Sequence, residues 1–171
     1  MSPRRIQAAL VAMLIVSVAA GAAGIGASPP GQLATVDRVV DGDTLRTRGG
    51  ARVRLLQIDA PESGEECFAG AATHALVRLA PPGTRVVLET DPALDRRDRY
   101  GRLLRYVHVG GVNVNVELVR RGAATPYFYD GDRGRYAQRF LDAVTTARRE
   151  RRGMWGACRV LWTPEQPVTT R

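Results

Sequence analysis

Residues 33–58 read LATVDRVVDGDTLRTRGGARVRLLQI and contain three short runs in which β-branched and aliphatic residues dominate. The runs cover residues 33–40, 44–48 and 52–58, and the turn-forming residues Asp41-Gly42-Asp43 and Gly49-Gly50 separate them. Runs of four to eight such residues between turn signals are typical of β-strands. This stretch therefore predicts three short strands.

The rest of the chain predicts two more strands and three helices. The strands cover residues 85–90 and 103–109, joined by a loop rich in Asp and Arg. Apolar residues recur at helical spacing over 68–79, just before Pro81 and Pro82. A short helix is expected between a capping Asn113 and Gly122, and a longer one from near Arg133 to Gly153.

Five short strands with inserted and appended helices indicate an α+β fold. We expect a five-stranded OB-fold Greek-key β-barrel with about three α-helices, an architecture that presents a groove to nucleic acid. The chain has 171 residues, 44% of them apolar and 25% charged, which fits one globular domain and excludes an α/β barrel.

The charge is strongly positive. The chain has 25 Arg and no Lys against 17 Asp and Glu, a formal net charge of +8. Such an excess favours acidic partners, of which nucleic acid and anionic lipid are the two main classes. Charge alone does not choose between them.

The N-terminal residues resemble a targeting segment. Arg4 and Arg5 precede an uncharged, mostly apolar stretch over 6–27, as in a secretory signal peptide. An uncleaved membrane anchor is the alternative, because about 20 apolar residues are enough to span a bilayer. We therefore expect a signal peptide or anchor at 1–27, a linker at 28–32, a folded domain at 33–160 and a flexible tail at 161–171. The protein is expected to be secreted or held at the cell surface.

Export changes how the two cysteines are interpreted. Cys67 and Cys158 are the only cysteines, and an oxidising compartment allows them to form a disulfide. A metal site is the alternative, but neither a nearby His nor a second Cys pair supports it. The disulfide is favoured.

Three motifs occur in order along the chain: Asp41-Gly42-Asp43-Thr44, the segment 54–62 with sequence RLLQIDAPE, and the segment 98–102 with sequence DRYGR. Together they resemble the staphylococcal nuclease (thermonuclease) family over about 34–158. The resemblance implies an OB-fold barrel that cleaves DNA and RNA phosphodiesters with Ca²⁺. We expect a monomer that prefers single-stranded nucleic acid and meets a membrane only through an uncleaved N-terminal segment.

The resemblance also implies a metal site and a water-activating group. Asp43 and Asp59 resemble the carboxylates that bind calcium, with the backbone carbonyl of Ala60 as a further ligand. Glu62 resembles the residue that positions or deprotonates the attacking water, and Asp41 resembles a supporting acid beside the ligands. Calcium takes six to eight oxygen ligands in irregular geometry, so carboxylates, a carbonyl and waters suit it.

A second group of residues resembles the family's substrate contacts. Arg54 and Arg102 resemble its two phosphate-binding arginines, and a guanidinium offers a charged fork that matches phosphate oxygens. The other expected substrate contacts are Arg99, Tyr100, Tyr127 and Tyr129.

Three positions depart from the best-known family member. Ala60 stands where that member has Thr, Arg99 stands where it has Lys, and the segment between Glu62 and Cys67 is much shorter.

Strand periodicity alone does not assemble this site. In a straight strand Arg54 and Asp59 lie on opposite faces and are about 16 Å apart. We therefore expect the chain to bend near Asp59, where Pro61 ends the strand.

Other functions remain open at this level. Each motif alone has a simpler interpretation: Asp-Gly forms hairpin turns, and charged loops are usually only solvated. OB-folds also bind nucleic acid without cleaving it, so a non-catalytic binding module is the main alternative. A surface protein that uses its arginines on anionic lipid is a weaker one.

Overall fold

The computed structural model describes residues 31–64 and 66–171. The predicted signal peptide or anchor at 1–27 lies outside these residues. The elements in chain order are β1 (Gln32–Val39), β2 (Thr44–Thr47), β3 (Arg52–Leu55), β4 (Ile58–Asp59), α1 (Ala69–Leu79), β5 (Arg85–Glu89), β6 (Leu103–Val109), β7 (Val112–Asn113), α2 (Val114–Arg120), β8 (Thr125–Pro126), a 3₁₀ turn (Tyr129–Gly131), α3 (Ala137–Arg149), α4 (Met154–Ala157), β9 (Val160–Leu161) and β10 (Thr169–Thr170).

Five strands form a closed barrel in the order β3-β2-β1-β5-β6. The neighbours in this order are antiparallel, and a parallel pairing of β3 with β6 closes the barrel. Leu45 of β2 and Val53 of β3 pair directly and are both fully buried. The predicted α+β OB-fold barrel is confirmed, with three longer helices and the single-turn α4.

The helices pack on the barrel strands and on one another, with α1 against β1 and α2 against β6. α2 and α3 pack on each other, and Phe128 and Phe140 join Tyr106 of β6 in one continuous core. As predicted, Asn113 caps α2, because its side-chain oxygen accepts a hydrogen bond from the N–H of Val116 at 3.0 Å.

α3 begins at Ala137, four residues later than predicted from the sequence. The side chain of Gln57 explains this difference. Its amide donates to the carbonyl of Asp132 at 2.8 Å and its carbonyl accepts from the N–H of Gly134 at 3.1 Å. These bonds involve backbone groups of residues 132–134, which lie ahead of the helix.

The C-terminal residues correct the prediction of a flexible tail at 161–171. β9 and β10 form a small antiparallel pair, and Val168 and Thr170 are buried. The indole of Trp162 donates to the carbonyl of Pro126 at 2.8 Å, and the hydroxyl of Thr170 donates to the carbonyl of Cys67 at 2.6 Å. Buried side chains and specific hydrogen bonds hold this hairpin, which we call the C-terminal hairpin, against the domain.

Cys67 and Cys158 form a disulfide with their Cα atoms 6.0 Å apart. The bond joins the segment before α1 to the residue after α4, and the two cysteines are 91 positions apart in the sequence. None of the helices within the described ranges is long and apolar enough to cross a bilayer.

Removing the disulfide is expected to lower stability strongly. In the Cys67→Ser/Cys158→Ser variant the unfolded chain regains the freedom that a cross-link of this length removes, about 4–5 kcal/mol. For a domain of this size the melting temperature should fall by roughly 8–20 °C. Thermal unfolding with and without reductant measures it. Reductant should move the wild type to the melting temperature of the variant and leave the variant unchanged; a wild type that ignores reductant after full reduction contradicts the prediction.

Candidate active site

The turn between β1 and β2 places the first predicted metal ligand. The carboxylate of Asp41 accepts a hydrogen bond from the N–H of Asp43 at 3.1 Å, which fixes the turn. The side chain of Asp43 is then buried toward Ala60, whose N–H donates to its Oδ2 at 2.9 Å. Gly42 is required here, because a Cβ at this position would lie 2.6 Å from the Cβ of Ala60.

A sharp change in backbone direction brings the second ligand into place. β3 ends at Leu55, and Gln57 adopts a left-handed conformation with φ of 58° before β4 begins at Ile58. A non-glycine residue in this region is strained, and the buried hydrogen bond from Tyr106 to the Gln57 side chain at 2.9 Å helps to hold it. The predicted bend therefore exists, but it lies at Gln57 rather than at Asp59.

Arg54 joins the two acids after this bend. Its Nη2 lies 3.0 Å from Oδ2 of Asp43 and 2.8 Å from Oδ1 of Asp59. Its Nη1 donates to the carbonyls of Leu55 and Ile58 at 3.1 and 2.7 Å. The two carboxylates therefore converge on one guanidinium that the local backbone holds in position.

Burial dominates the electrostatics of these acids. It raises the pKa of Asp43 to about 7, although the charge of Arg54 opposes the shift. Burial also raises the pKa of Asp59, again against Arg54. Burial therefore favours the protonated form of both acids, even with a guanidinium between them.

Glu62 lies in the loop that follows. Partial burial raises its pKa, and the nearby charges of Asp59 and Asp41 raise it further. Its N–H donates to Oε2 of Glu66 at 2.7 Å, and Oε1 of Glu66 accepts from the N–H of Thr170 at 3.1 Å. The loop that carries Glu62 is therefore tied to the C-terminal hairpin.

The C-terminal hairpin also contacts Asp59. The N–H of Val168 donates to Oδ2 of Asp59 at 2.9 Å, and both groups are buried. The other oxygen, Oδ1, faces Arg54. The two partners fix the orientation of this carboxylate.

A pocket of about 430 Å³ opens beside Arg54. Arg102 lines it, with its Nε bonded to Oδ2 of Asp98 at 2.5 Å. That bond leaves the two terminal nitrogens of Arg102 for a ligand. Hydrogen bonds from Arg102 lower the pKa of Asp98 despite its partial burial, so the pair stays ionised near neutral pH.

Aromatic rings form another part of the pocket wall. Tyr127 and Tyr129 both line it, in an edge-to-face pair with ring centroids 6.4 Å apart. Tyr100 lies at the rim, two-thirds exposed, with the guanidinium of Arg99 4.9 Å from its ring centroid. Exposed rings beside arginines provide surfaces on which an unpaired base can stack.

The amino-acid sequence matches a known protein family. A family model described as staphylococcal nuclease homologue matches residues 52–157, more than half of the chain. The chain belongs to the staphylococcal nuclease family. The resemblance predicted from the three motifs is confirmed.

Several curated relatives of this staphylococcal nuclease family member are similar over most of its length. It is 38% identical over 164 residues to a micrococcal nuclease of Shigella flexneri, covering 89% of this chain and 84% of the relative. It is 36% identical over 129 residues to an uncharacterized endonuclease of Escherichia coli O157:H7, covering 70% and 74%. Endonuclease YhcR of Bacillus subtilis is 33% identical over 136 residues, covering 70% of this chain but 11% of the relative. Together with two further endonucleases of Bacillus subtilis, YokF and YncB, it shows that the chain spans 11 to 60% of the length of such relatives.

The structure brings some of the predicted site residues into direct contact and places others in the neighbouring pocket. Arg54, Asp43 and Asp59 are in direct contact, and the predicted substrate residues line the pocket next to them: Arg99, Tyr100, Arg102, Tyr127 and Tyr129. Ala60 contacts Asp43 through its N–H, so a ligand role for its carbonyl stays a prediction. The catalytic role of each side chain likewise stays a prediction.

The two carboxylates that meet in this family member, those of Asp43 and Asp59, together suit a hard cation. Within residues 31–64 and 66–171, no group of three or more His, Cys, Asp or Glu side chains is arranged to hold a metal. Two neighbouring carboxylates nevertheless supply oxygen donors and, when ionised, more negative charge than one guanidinium balances, which suits a hard cation. Carbonyls, waters and a substrate phosphate would have to complete its shell.

Two contacts in the site are absent from the sequence predictions: the side chain of Gln57 and the N–H of Val168. A polar residue between the apolar Leu56 and Ile58 was the only local signal for Gln57. Val168 acts through its backbone, which carries no residue-specific signal at all.

Proposed function

We propose that this protein is an exported, calcium-dependent nuclease that hydrolyses phosphodiester bonds of DNA and RNA, with water as the nucleophile. The observation that carries the proposal is the convergence of Asp43 and Asp59 on Arg54, at the edge of a pocket lined by a second arginine and by tyrosines. Relatives named as endonucleases and as a micrococcal nuclease support it. Export is inferred from residues 1–27, and the disulfide suits an oxidising compartment.

Arg54 and Arg102 would bind the reacting phosphate. In-line attack adds negative charge to the phosphate oxygens, and a guanidinium stays protonated while it donates to them. Arg102 offers two terminal nitrogens, and Arg54 stands between the pocket and the carboxylates. Calcium held by Asp43 and Asp59 would supply further positive charge at the same oxygens.

Glu62 would orient the attacking water and accept its proton as the new P–O bond forms and the bond to the leaving oxygen breaks. A general base works best when its pKa lies close to the operating pH. Burial and the neighbouring acids shift the pKa of Glu62 upward, in that direction. The exposed Tyr100 and Tyr129 rings would take bases that are not stacked in a duplex, which favours single-stranded or frayed substrates.

Digestion of heat-denatured DNA and of RNA, in calcium and then in excess chelator, tests the proposal. We expect degradation of both polymers with calcium and intact polymer with chelator. Binding without cleavage in calcium would instead identify a non-catalytic OB-fold module. Equal degradation in both conditions would contradict metal dependence.

Calcium is expected to raise the melting temperature, and more so at pH 8 than at pH 5.5. At a concentration one hundred times Kd, binding adds about 2.7 kcal/mol, or roughly 5–10 °C for a domain of this size. The pKa of Asp43 is about 7 in the folded protein against an ordinary 3.8. Below pH 7 the folded carboxylate therefore holds a proton that calcium must displace, which weakens binding.

The raised pKa of Asp43 also determines the direction in which stability changes with pH in the absence of calcium. Between about pH 4 and 7 the folded protein holds the Asp43 proton that the unfolded chain has released, so this group's contribution to stability falls as pH rises. Melting curves at both pH values with calcium or chelator measure the effect. An Asp43→Asn variant is the control, since it should lose most of the calcium response. A wild type whose melting temperature ignores millimolar calcium would contradict the assigned ligands.

A further inference from the structure

A second groove lies beside the candidate pocket, on the outer side of β2 and β3. Its volume is about 300 Å³, and its side-chain walls include Arg46, Arg52, Arg97, Tyr100 and Arg102. The last three also line the candidate pocket, so the two depressions share a wall. We call this second depression the arginine groove.

The strand register places three arginines on one face of the barrel. Arg46 of β2 pairs directly with Arg52 of β3, and directly paired residues of antiparallel strands share a face. Arg54 lies two residues after Arg52 and so shares that face as well. The intervening residues Leu45 and Val53 are fully buried in the barrel. A row of guanidiniums therefore leads from the groove to Arg54.

The pairing of these arginines is unfavourable for the folding stability of the barrel. Like charges that pair directly across strands destabilise a sheet. Among the residues that the structure describes, no Asp or Glu lies within salt-bridge distance of Arg46, Arg52 or Arg97. After burial, the charges of Arg97 and Arg96 are what lower the pKa of Arg105, which marks a region of positive potential. Unsatisfied features of this kind are expected where a ligand satisfies them.

We propose that the arginine groove binds the phosphates of the polynucleotide strand outside the scissile bond. The inference rests on the proposed function and extends it from the reacting phosphate to the path of the strand. A strand whose reacting phosphate lies at Arg54 and Arg102 continues over the shared wall to Arg46 and Arg52. The exposed ring of Tyr100 on that wall offers a stacking surface for a base on the way. Long strands reach the groove, and dinucleotides do not.

The Arg46→Gln/Arg52→Gln variant tests the proposal. For a 20-nucleotide single strand we expect KM to rise about tenfold at unchanged kcat. The log–log salt dependence of binding should become less steep by about 1.4, because each lost single-strand phosphate contact removes about 0.7. KM for a dinucleotide should stay the same. The melting temperature should stay the same or rise, since a like-charge pair has been removed.

The matched control is Arg78→Gln/Arg85→Gln, which removes the same charge from two exposed arginines outside both depressions. This control should leave KM and the salt slope near wild type. Fluorescence anisotropy of a labelled 20-mer in chelator measures binding separately from cleavage. A groove variant that binds and cleaves the 20-mer like the control overturns the proposal, and so does an equal rise in KM for the dinucleotide. A wild type that binds the 20-mer but never cleaves overturns the proposed function, while anisotropy still tests the groove.

Discussion

Glu62→Gln is expected to cleave denatured DNA about 10²- to 10⁴-fold more slowly than the wild type, the range over which a positioned acid–base group contributes. The amide keeps the size of the side chain but cannot accept the proton of the attacking water. Most of Glu62 is exposed, and its hydrogen bonds to Glu66 are made by its backbone N–H and carbonyl rather than by its carboxylate. Folding stability and oligonucleotide affinity should therefore stay close to wild type.

Single-turnover cleavage, anisotropy in chelator and a melting curve together measure this effect. Glu165→Gln is the matched control, because Glu165 is an exposed acid whose ion pair with Arg133 is long, at 4.0 Å. The control should cleave normally. Cleavage by Glu62→Gln at the wild-type rate would remove Glu62 from the mechanism and leave the metal and the arginines to activate water.

The two arginines expected to bind phosphate should differ in how much they contribute to folding stability. Arg54→Gln and Arg102→Gln should each lower kcat by about two to three orders of magnitude, as the loss of one donor to transition-state charge typically does. Only Arg54→Gln should also cost about 3–5 kcal/mol of stability, because it leaves two buried carboxylates without their partner. Arg102→Gln should cost less stability, because it removes the partner of one carboxylate, Asp98, in a somewhat less buried position.

Urea unfolding of both variants beside their cleavage rates separates these effects. Calcium should restore part of the stability of Arg54→Gln, because a cation would replace the missing charge between Asp43 and Asp59. It should change the activity loss little, since the phosphate contact stays absent. Equal stability losses in the two variants would contradict the central position of Arg54 between the carboxylates.

Most of the barrel was predictable, because its signals are local. The turn residues around Gly42 and Gly50 and the capping Asn113 each report on their own neighbourhood. The start of α3 was predicted four residues early for the opposite reason. The Gln57 side chain that bonds to Asp132 and Gly134 comes from about 75 residues earlier in the chain.

In the site, too, local signals were predictable and contacts with residues distant in sequence were not. Its motifs identified the acids and arginines by residue type and order, and Arg54 does meet Asp43 and Asp59. The left-handed Gln57 that makes this meeting possible is stabilised by Tyr106, a partner distant in sequence, so periodicity could not locate the bend. The C-terminal hairpin was predicted as flexible because Pro164 and Pro167 are typical of a frayed tail.

The hydrogen bond from Val168 to Asp59 joins residues 109 positions apart. Translation produces the N-terminal part of a chain first, and a pairing of such long range must wait for the later partner. All three family motifs are therefore synthesised before Asp59 has both of its partners. Fusion tags, stop codons and proteolytic cuts near Val168 act on the same contact, although they lie more than a hundred residues from the motif that they would disturb.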